Sequence, residues 1–184
     1  MTREEAMELL NHAIKNERML SHCYAAEAVM RALARSLGQE EEKWAIAGLL
    51  HDLDIELIDA DLAVHTHKTV EILQEHRVDP EIIDAIKMHN EESWGAKRST
   101  LFHHALAAGE TITGLIVATA LVYPDKKLAS VKAKSVTKRM KEKAFAASVN
   151  RDTIMECEKI VIPLDKFAEI CLQAMKEISD KLGL

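Results

Sequence analysis

The sequence is poor in residues that interrupt helices and in cysteines that could form stabilising disulfides. Its 184 residues include 3 Pro, 6 Gly and 3 Cys, and aromatic residues make up 4%. Scarce Gly and Pro favour helices. The three cysteines cannot all pair within one chain, and Cys23, Cys157 and Cys171 have neither CxxC nor Cys/His knuckle spacing. A disulfide framework is therefore not expected, and a reduced cytoplasm is the predicted location.

Export segments, long apolar runs and common catalytic motifs are also missing. The chain begins Met1-Thr2-Arg3-Glu4-Glu5, and no uninterrupted apolar run is long enough to span a bilayer. There is no Gly-rich phosphate loop, Ser or Cys nucleophile motif or dinucleotide fingerprint. We expect no membrane association, and hydrolysis by this chain would need a nucleophile other than a protein side chain.

The composition is that of an ordinary globular protein, with 48% hydrophobic and 29% charged residues. The net charge of −6 makes general nucleic-acid binding an unfavourable interpretation, since phosphate contacts need a positive surface. Basic residues nevertheless dominate residues 126–143. We interpret this basic segment as a solvated helix face rather than a phosphate site.

The pattern of apolar residues predicts an all-α protein with a single domain over residues 1–184. Thr2 and Glu5 have the spacing of a capping box, and Asp79-Pro80 is a favourable helix start. Residues 100–122 are apolar nearly all round, which predicts a central buried helix. The predicted helices cover about 2–15, 19–37, 40–50, 67–75, 80–88, 100–122, the basic segment, 152–158 and 164–182.

His51-Asp52 follows the apolar run Ala45–Leu50, and this pair offers a nitrogen and an oxygen ligand suited to a divalent cation. A carboxylate beside an apolar run needs a partner or a cation, although Asp52 could instead cap the next helix. Glu110 poses the same problem within an apolar helix. Two buried carboxylates repel each other unless a metal or a base lies between them.

Several histidines accompany this pair. His22 is predicted to point into the bundle, because Ala25, Ala26 and Val29 form the inward face of its helix. His103 precedes Glu110 by two helical turns, but we expect it at the surface, together with His12 and His76.

With His22, His51-Asp52 and Glu110 in this order, the chain resembles the HD superfamily of metal-dependent phosphohydrolases. The resemblance implies an HD-type helical bundle, with a metal-site core at about 19–123 and C-terminal helices at about 126–184. It implies one divalent ion (Mn, Fe, Ni, Co, Mg or Zn) held by His22, His51, Asp52 and Glu110. Glu110 stands where the family has Asp and is longer by one C–C bond.

His65 and His89 occupy positions where some members of this superfamily carry histidines for a second metal. Each could also line the pocket or contact a substrate phosphate. We expect one metal rather than two, because the longer Glu110 alters the site. Asp54 is predicted to hydrogen-bond a ligating imidazole and to fix its tautomer.

The resemblance implies hydrolysis of a small phosphate ester or nucleotide by a metal-activated water, with Asp52, His65 and His89 as catalytic residues. Lys127 and Arg151 are candidates for contacts with the substrate phosphate, although a surface ion pair is the favoured interpretation of Arg151. One alternative is a non-catalytic HD-type domain used for ligand sensing or protein association. Another is a purely structural helical domain that binds no metal, and a homo-oligomer is compatible with the sequence.

Overall fold

The computed structural model describes residues 1–184 and contains helices and turns without β-strands, as predicted. Three short 3₁₀ segments, Glu91–Trp94, Leu128–Ser130 and Met155–Ile160, join the α-helices. The ten α-helices are α1 (Arg3–Ala13), α2 (Glu17–Leu37), α3 (Glu41–Leu50), α4 (His67–Glu75), α5 (Pro80–His89), α6 (Leu101–Leu121), α7 (Ala133–Arg139), α8 (Arg151–Ile154), α9 (Leu164–Glu177) and α10 (Ser179–Leu182).

Local sequence signals determine where the N-terminal helices begin and end. The Thr2 hydroxyl accepts from the Glu5 amide while the Glu5 carboxylate accepts from the Thr2 amide, so the predicted capping box is present. Helix α2 ends at Gly38, whose φ of 65° is left-handed. Asp79 caps α5 through the Glu81 amide, with Pro80 in the first turn.

The core is one hydrophobic cluster of 41 buried residues that runs from Ala6 in α1 to Met175 in α9. Helix α6 lies in its interior, as its apolar sequence predicts, and packs against α2, α5 and α9. Helices α2 and α3 approach closely because Gly48 has no side chain. A Cβ atom at Gly48 would lie 2.5 Å from the Ala26 carbonyl oxygen. This close packing brings the start of α2 and the end of α3 together.

Helix α6 is long and apolar enough to cross a membrane when length and composition alone are considered. Of its most apolar 18-residue window, 67% is buried inside the protein. Interior helices of globular folds commonly meet the same criterion, and the burial of α6 accounts for its composition here.

The C-terminal third contains shorter helices than the sequence predicts. In the basic segment only α7 is α-helical, because lysines outnumber the acidic residues that could pair with them along a helix. The helix predicted over 152–158 is α8 followed by a 3₁₀ segment. The predicted helix 164–182 is interrupted at Ile178, where φ is −117° and ψ is 17°.

Candidate metal centre

Six side chains from separate parts of the chain meet where α2, α3, α5 and α6 come together. His22 extends from the second turn of α2, and His51 and Asp52 follow directly after α3. His65 lies in the turn before α4, His89 is the last residue of α5, and Glu110 lies in the middle of α6. The structure thus brings together all the predicted metal ligands and both additional histidines.

His22, His51 and Asp52 form the first ligand set. The Nε2 atoms of His22 and His51 are 3.1 Å apart, and they lie 3.5 Å and 3.4 Å from Asp52 Oδ2. Glu110 Oε2 is 3.8 Å from His22 Nε2. Ligand atoms that share one ion at about 2.1 Å are roughly 3 to 3.5 Å apart, so the separations among His22, His51 and Asp52 match the edges of a coordination polyhedron, whereas the separation between His22 and Glu110 is longer.

His65, His89 and Asp52 form the second ligand set. The Nε2 atoms of His65 and His89 are 3.2 Å apart, and they lie 3.0 Å and 3.5 Å from Asp52 Oδ1. Asp52 therefore faces the first set with one oxygen and the second set with the other. Two ligand sets joined by one carboxylate are the arrangement that a second ion would need, and the number of ions stays a prediction.

Backbone carbonyls determine the tautomers of two of these histidines. His51 Nδ1 lies 2.8 Å from the Gly48 carbonyl oxygen, and His89 Nδ1 lies 3.0 Å from the Ile86 carbonyl oxygen. A carbonyl can only accept, so each Nδ1 carries the hydrogen. In the neutral ring, each Nε2 then presents its lone pair to the site.

Side chains impose the same tautomer on the other two histidines. The Thr113 hydroxyl donates to the Glu110 carbonyl at 2.6 Å, so it accepts from His22 Nδ1 at 3.0 Å. The Asp54 carboxylate accepts from His65 Nδ1 at 2.7 Å, as predicted for this residue. Asp54 is itself held by the amides of Lys68 and Thr69.

These hydrogen bonds direct four Nε2 lone pairs and the carboxylate of Asp52 towards one another. Neutral imidazoles with this tautomer have no hydrogen to place between two Nε2 atoms 3.1 or 3.2 Å apart. Such an arrangement of lone pairs is repulsive unless cations or protons lie among them. The donor set fits divalent metal ions, and imidazole nitrogens favour transition metals.

The family model described as HD domain matches residues 19–146. The chain belongs to the HD domain family. Its fold is accordingly the all-α HD type, in a superfamily of metal-dependent phosphohydrolases. Comparison with curated proteins and with solved structures finds no match.

Burial and the neighbouring charges control protonation in this HD domain. Burial is the main cause that lowers the pKa of His22 to about 4, with His51 adding to the effect. Burial also raises the pKa of Glu110 to about 7. Burial opposes charge on His65, but hydrogen bonds to Asp52 and Asp54 outweigh it and raise its pKa to about 9. Without metal, a proton on His65 thus partly neutralises the site.

The residue after His65 has a strained backbone. Thr66 is buried and has a φ of 78°, a conformation that β-branched residues rarely adopt. Its hydroxyl accepts from the Trp94 indole at 2.8 Å, and the Asn90 amide and the Ser93 hydroxyl donate to the His65 carbonyl. The surrounding contacts hold the strained turn that directs His65 into the site.

The HD domain site does not include the two predicted phosphate residues. Lys127 is exposed and lies beyond the end of α6. Because α6 rises about 16 Å from Glu110 to its last residue, Leu121, the backbone at Lys127 is far from the site. Arg151 neither reaches the site nor forms a surface ion pair. Its guanidinium donates to backbone carbonyls of the turn 142–149 and stabilises that turn.

The expectation that His103 lies at the surface is wrong. It is 5% exposed, its Nδ1 accepts from the Ser99 amide, and its Nε2 donates to Asp84 at 2.7 Å. The pairing with Asp84 compensates for burial of the ring. His12 and His76 are exposed, as expected.

Thr113 is the site residue that the sequence analysis missed. A threonine in an apolar helix ordinarily packs or bonds to the preceding turn, and Thr119 does so through the Leu115 carbonyl. The only sequence signal is that Thr113 follows Glu110 by three residues, which places both on one helix face.

Proposed function

We propose that this HD domain is a metal-dependent phosphohydrolase that hydrolyses a small phosphate ester with water. The observation that carries the proposal is the convergence of four Nε2 lone pairs on the two oxygens of Asp52. Divalent ions bound there would lower the pKa of a bound water and polarise a phosphoryl oxygen.

The two ligand sets support two ions rather than one. In this proposal His22, His51 and Glu110 would hold one ion, His65 and His89 would hold the other, and Asp52 would offer one oxygen to each. Paired ions of this kind stabilise the attacking and the leaving oxygen of a hydrolysis. His65 and His89, predicted from sequence as catalytic residues, would thus bind metal.

The hydrogen-bond partners of the four Nδ1 atoms keep the histidines oriented for metal binding. Thr113 and Asp54 hold His22 and His65 in the tautomer that leaves Nε2 unprotonated, and the Gly48 and Ile86 carbonyls do the same for His51 and His89. Such partners of metal ligands usually contribute tenfold to a hundredfold in metal affinity.

The test combines metal analysis with a substrate panel. Protein purified without an affinity tag should contain transition metal, and His51→Ala and Asp52→Ala should lose it while keeping their helical circular dichroism. Metal-loaded wild type should hydrolyse some phosphomonoesters, lose activity with a chelator and recover it with Mn²⁺ or Co²⁺. Activity that survives complete metal removal would contradict the mechanism, and bound metal without any hydrolysis would favour the sensing alternative.

A further inference from the structure

A cleft of about 710 Å³ opens beside the metal centre between α2, α6 and the C-terminal end of the chain. His22 and Thr113 belong to both the metal centre and the wall of this cleft. The cleft therefore adjoins His22, one member of the first ligand set. A ligand that occupies it can place one end beside His22.

Most of the cleft wall is apolar. Val117, Ala118 and Leu121 line it from α6, Ala25 lines it from α2, and Leu182 and Leu184 close the far side. Aromatic side chains are absent from the wall, and its only hydroxyls besides Thr113 are those of Ser21 and Ser148. This surface suits an aliphatic group better than a nucleobase, because bases are commonly recognised by stacking on aromatic rings and by several hydrogen bonds.

Arg18 is the only lysine or arginine in the cleft wall, and its neighbour Glu17 is the only acidic side chain there. It is exposed and forms no ion pair or side-chain hydrogen bond, whereas Arg3, Arg31 and Arg35 on α1 and α2 are all paired with glutamates. Arg18 precedes His22 by four residues, so it lies on the same face of α2, one turn further from the metals. Because helical side chains lean towards the N-terminus, its guanidinium is directed away from His22.

We propose that the cleft binds a phosphate ester with a short aliphatic body whose far end carries a second anionic group, such as a carboxylate, held by Arg18. The inference rests on the proposed function, because the metals at His22 would take the phosphoryl end. It specifies the substrate class as a two-anion aliphatic phosphomonoester rather than a nucleotide. Arg18 is then a specificity-determining residue, and Ala118 sets the space for the aliphatic body.

Phosphonates test this inference because they are not hydrolysed, so their binding does not depend on whether the protein is an active enzyme. Methylphosphonate, hexylphosphonate, 6-phosphonohexanoate and adenosine 5′-monophosphate are titrated calorimetrically into the metal-loaded full chain. Each buried methylene strengthens binding about three- to fourfold, so we expect hexylphosphonate to bind more than about tenfold tighter than methylphosphonate. The terminal carboxylate should add about another tenfold, and the nucleotide should bind no tighter than methylphosphonate.

Two variants and one control separate the contribution of the carboxylate from that of the aliphatic chain. Arg18→Gln should abolish the tenfold gain from the carboxylate and leave hexylphosphonate binding unchanged. Ala118→Leu should weaken both long-chain ligands about tenfold without affecting methylphosphonate. Arg35→Gln, a substitution at the other end of α2, should change none of these affinities.

Three results would overturn the proposal. Equal affinity of wild type for methylphosphonate and hexylphosphonate would exclude an aliphatic site. An equal loss for all phosphonates in Arg18→Gln would assign Arg18 to the phosphoryl group. Tight nucleotide binding would reject the substrate class. Absence of hydrolysis together with the expected phosphonate pattern would reject only the proposed catalytic activity.

Discussion

At the scale of single residues, the hydrogen bonds to Nδ1 fix the tautomer so that each histidine, when neutral, faces the site with an unprotonated Nε2. This depends on the partner of Nδ1 and not on the histidine itself. Thr113 is the most informative of these partners, because its hydroxyl is committed as a donor to the Glu110 carbonyl and can only accept from His22.

Thr113→Val should weaken metal binding about tenfold to a hundredfold, since valine keeps the shape but leaves the His22 tautomer unselected. Competition with a chromogenic chelator measures the effect. The matched control is Thr119→Val in the same helix, whose hydroxyl bonds only to the Leu115 carbonyl. If both variants retain wild-type metal affinity, Thr113 has no role in orienting His22.

Metal binding should become stronger between pH 7 and pH 9 because of His65. Burial opposes its charge, but Asp52 and Asp54 raise its pKa to about 9, so below that pH the metal must displace a proton. The affinity should rise up to about tenfold per pH unit and level off above the pKa. Titrations with buffered free metal measure this dependence.

Asp54→Asn should shift this dependence to lower pH, since the amide accepts from Nδ1 but no longer stabilises charge on the ring. A pH-independent affinity in wild type would show that His65 carries no proton in the metal-free site. A profile that is identical in Asp54→Asn would show that Asp52 alone accounts for the raised pKa.

Glu110 is the residue where this chain departs from the pattern of its superfamily. If its carboxylate reaches the metal, Glu110→Gln should weaken metal affinity at least about tenfold, because it removes the charge and nearly preserves the shape. Glu110→Asp should bind as well as wild type or better. Calorimetric titration of both variants decides the question, and an unchanged affinity in Glu110→Gln would exclude Glu110 as a metal ligand.

At the scale of helices, the site depends on how closely α2 and α3 pack. Gly48 contributes twice, because its missing side chain lets α3 touch Ala26 and its carbonyl accepts from His51. The crossing of these two helices and the orientation of one ligand are thus set at a single position.

Gly48→Ala should lower the free energy of unfolding by about 3 kcal/mol, since its Cβ atom would meet backbone 2.5 Å away. Urea denaturation measures the change. Gly114→Ala is the matched control in α6, because its Cβ would meet only the Val149 side chain at 3.3 Å, which can move. Equal stability of the two variants would contradict the packing argument.

At the scale of the whole molecule, a half-buried ion pair joins the C-terminal region to the second ligand set. Arg98 donates to the carbonyls of Met88 and His89 at the end of α5, and Glu156 accepts from both Arg98 and His104. Glu156 lies beyond the residues matched by the family model. The chain outside the match therefore supports the position of His89.

Arg98→Met should cost about 1 to 3 kcal/mol in unfolding free energy, because it leaves the half-buried Glu156 and the carbonyls of Met88 and His89 without this donor. The double variant Arg98→Met/Glu156→Gln should recover part of this loss, since no unpaired charge remains. Arg35→Met, which breaks an exposed pair with Glu41, should leave the stability close to that of wild type. Chemical denaturation compares all three, and a loss for Arg98→Met as small as that of the control would reject the network.

The sequence by itself determined the helical class, the ends of α1 to α6 to within about two residues, and the residues that converge at the candidate site. Caps, turns and the apolar period act over a few residues, and His51-Asp52 is a local pair whose chemistry is readable without a structure. The same local signals were weaker after residue 123, where the helices are short and depend on packing.

Only the tertiary structure decided which partner each histidine has. His22 and Thr113 are 91 residues apart, and His103 and Asp84 are 19 apart, so no local pattern links them. Tertiary packing also places Asp52 between two ligand sets and attaches Arg151 to the turn 142–149. It forms the cleft beside His22 as well. Hydrogen bonds and cavities depend on distances between elements, and the packing of side chains in the core sets those distances.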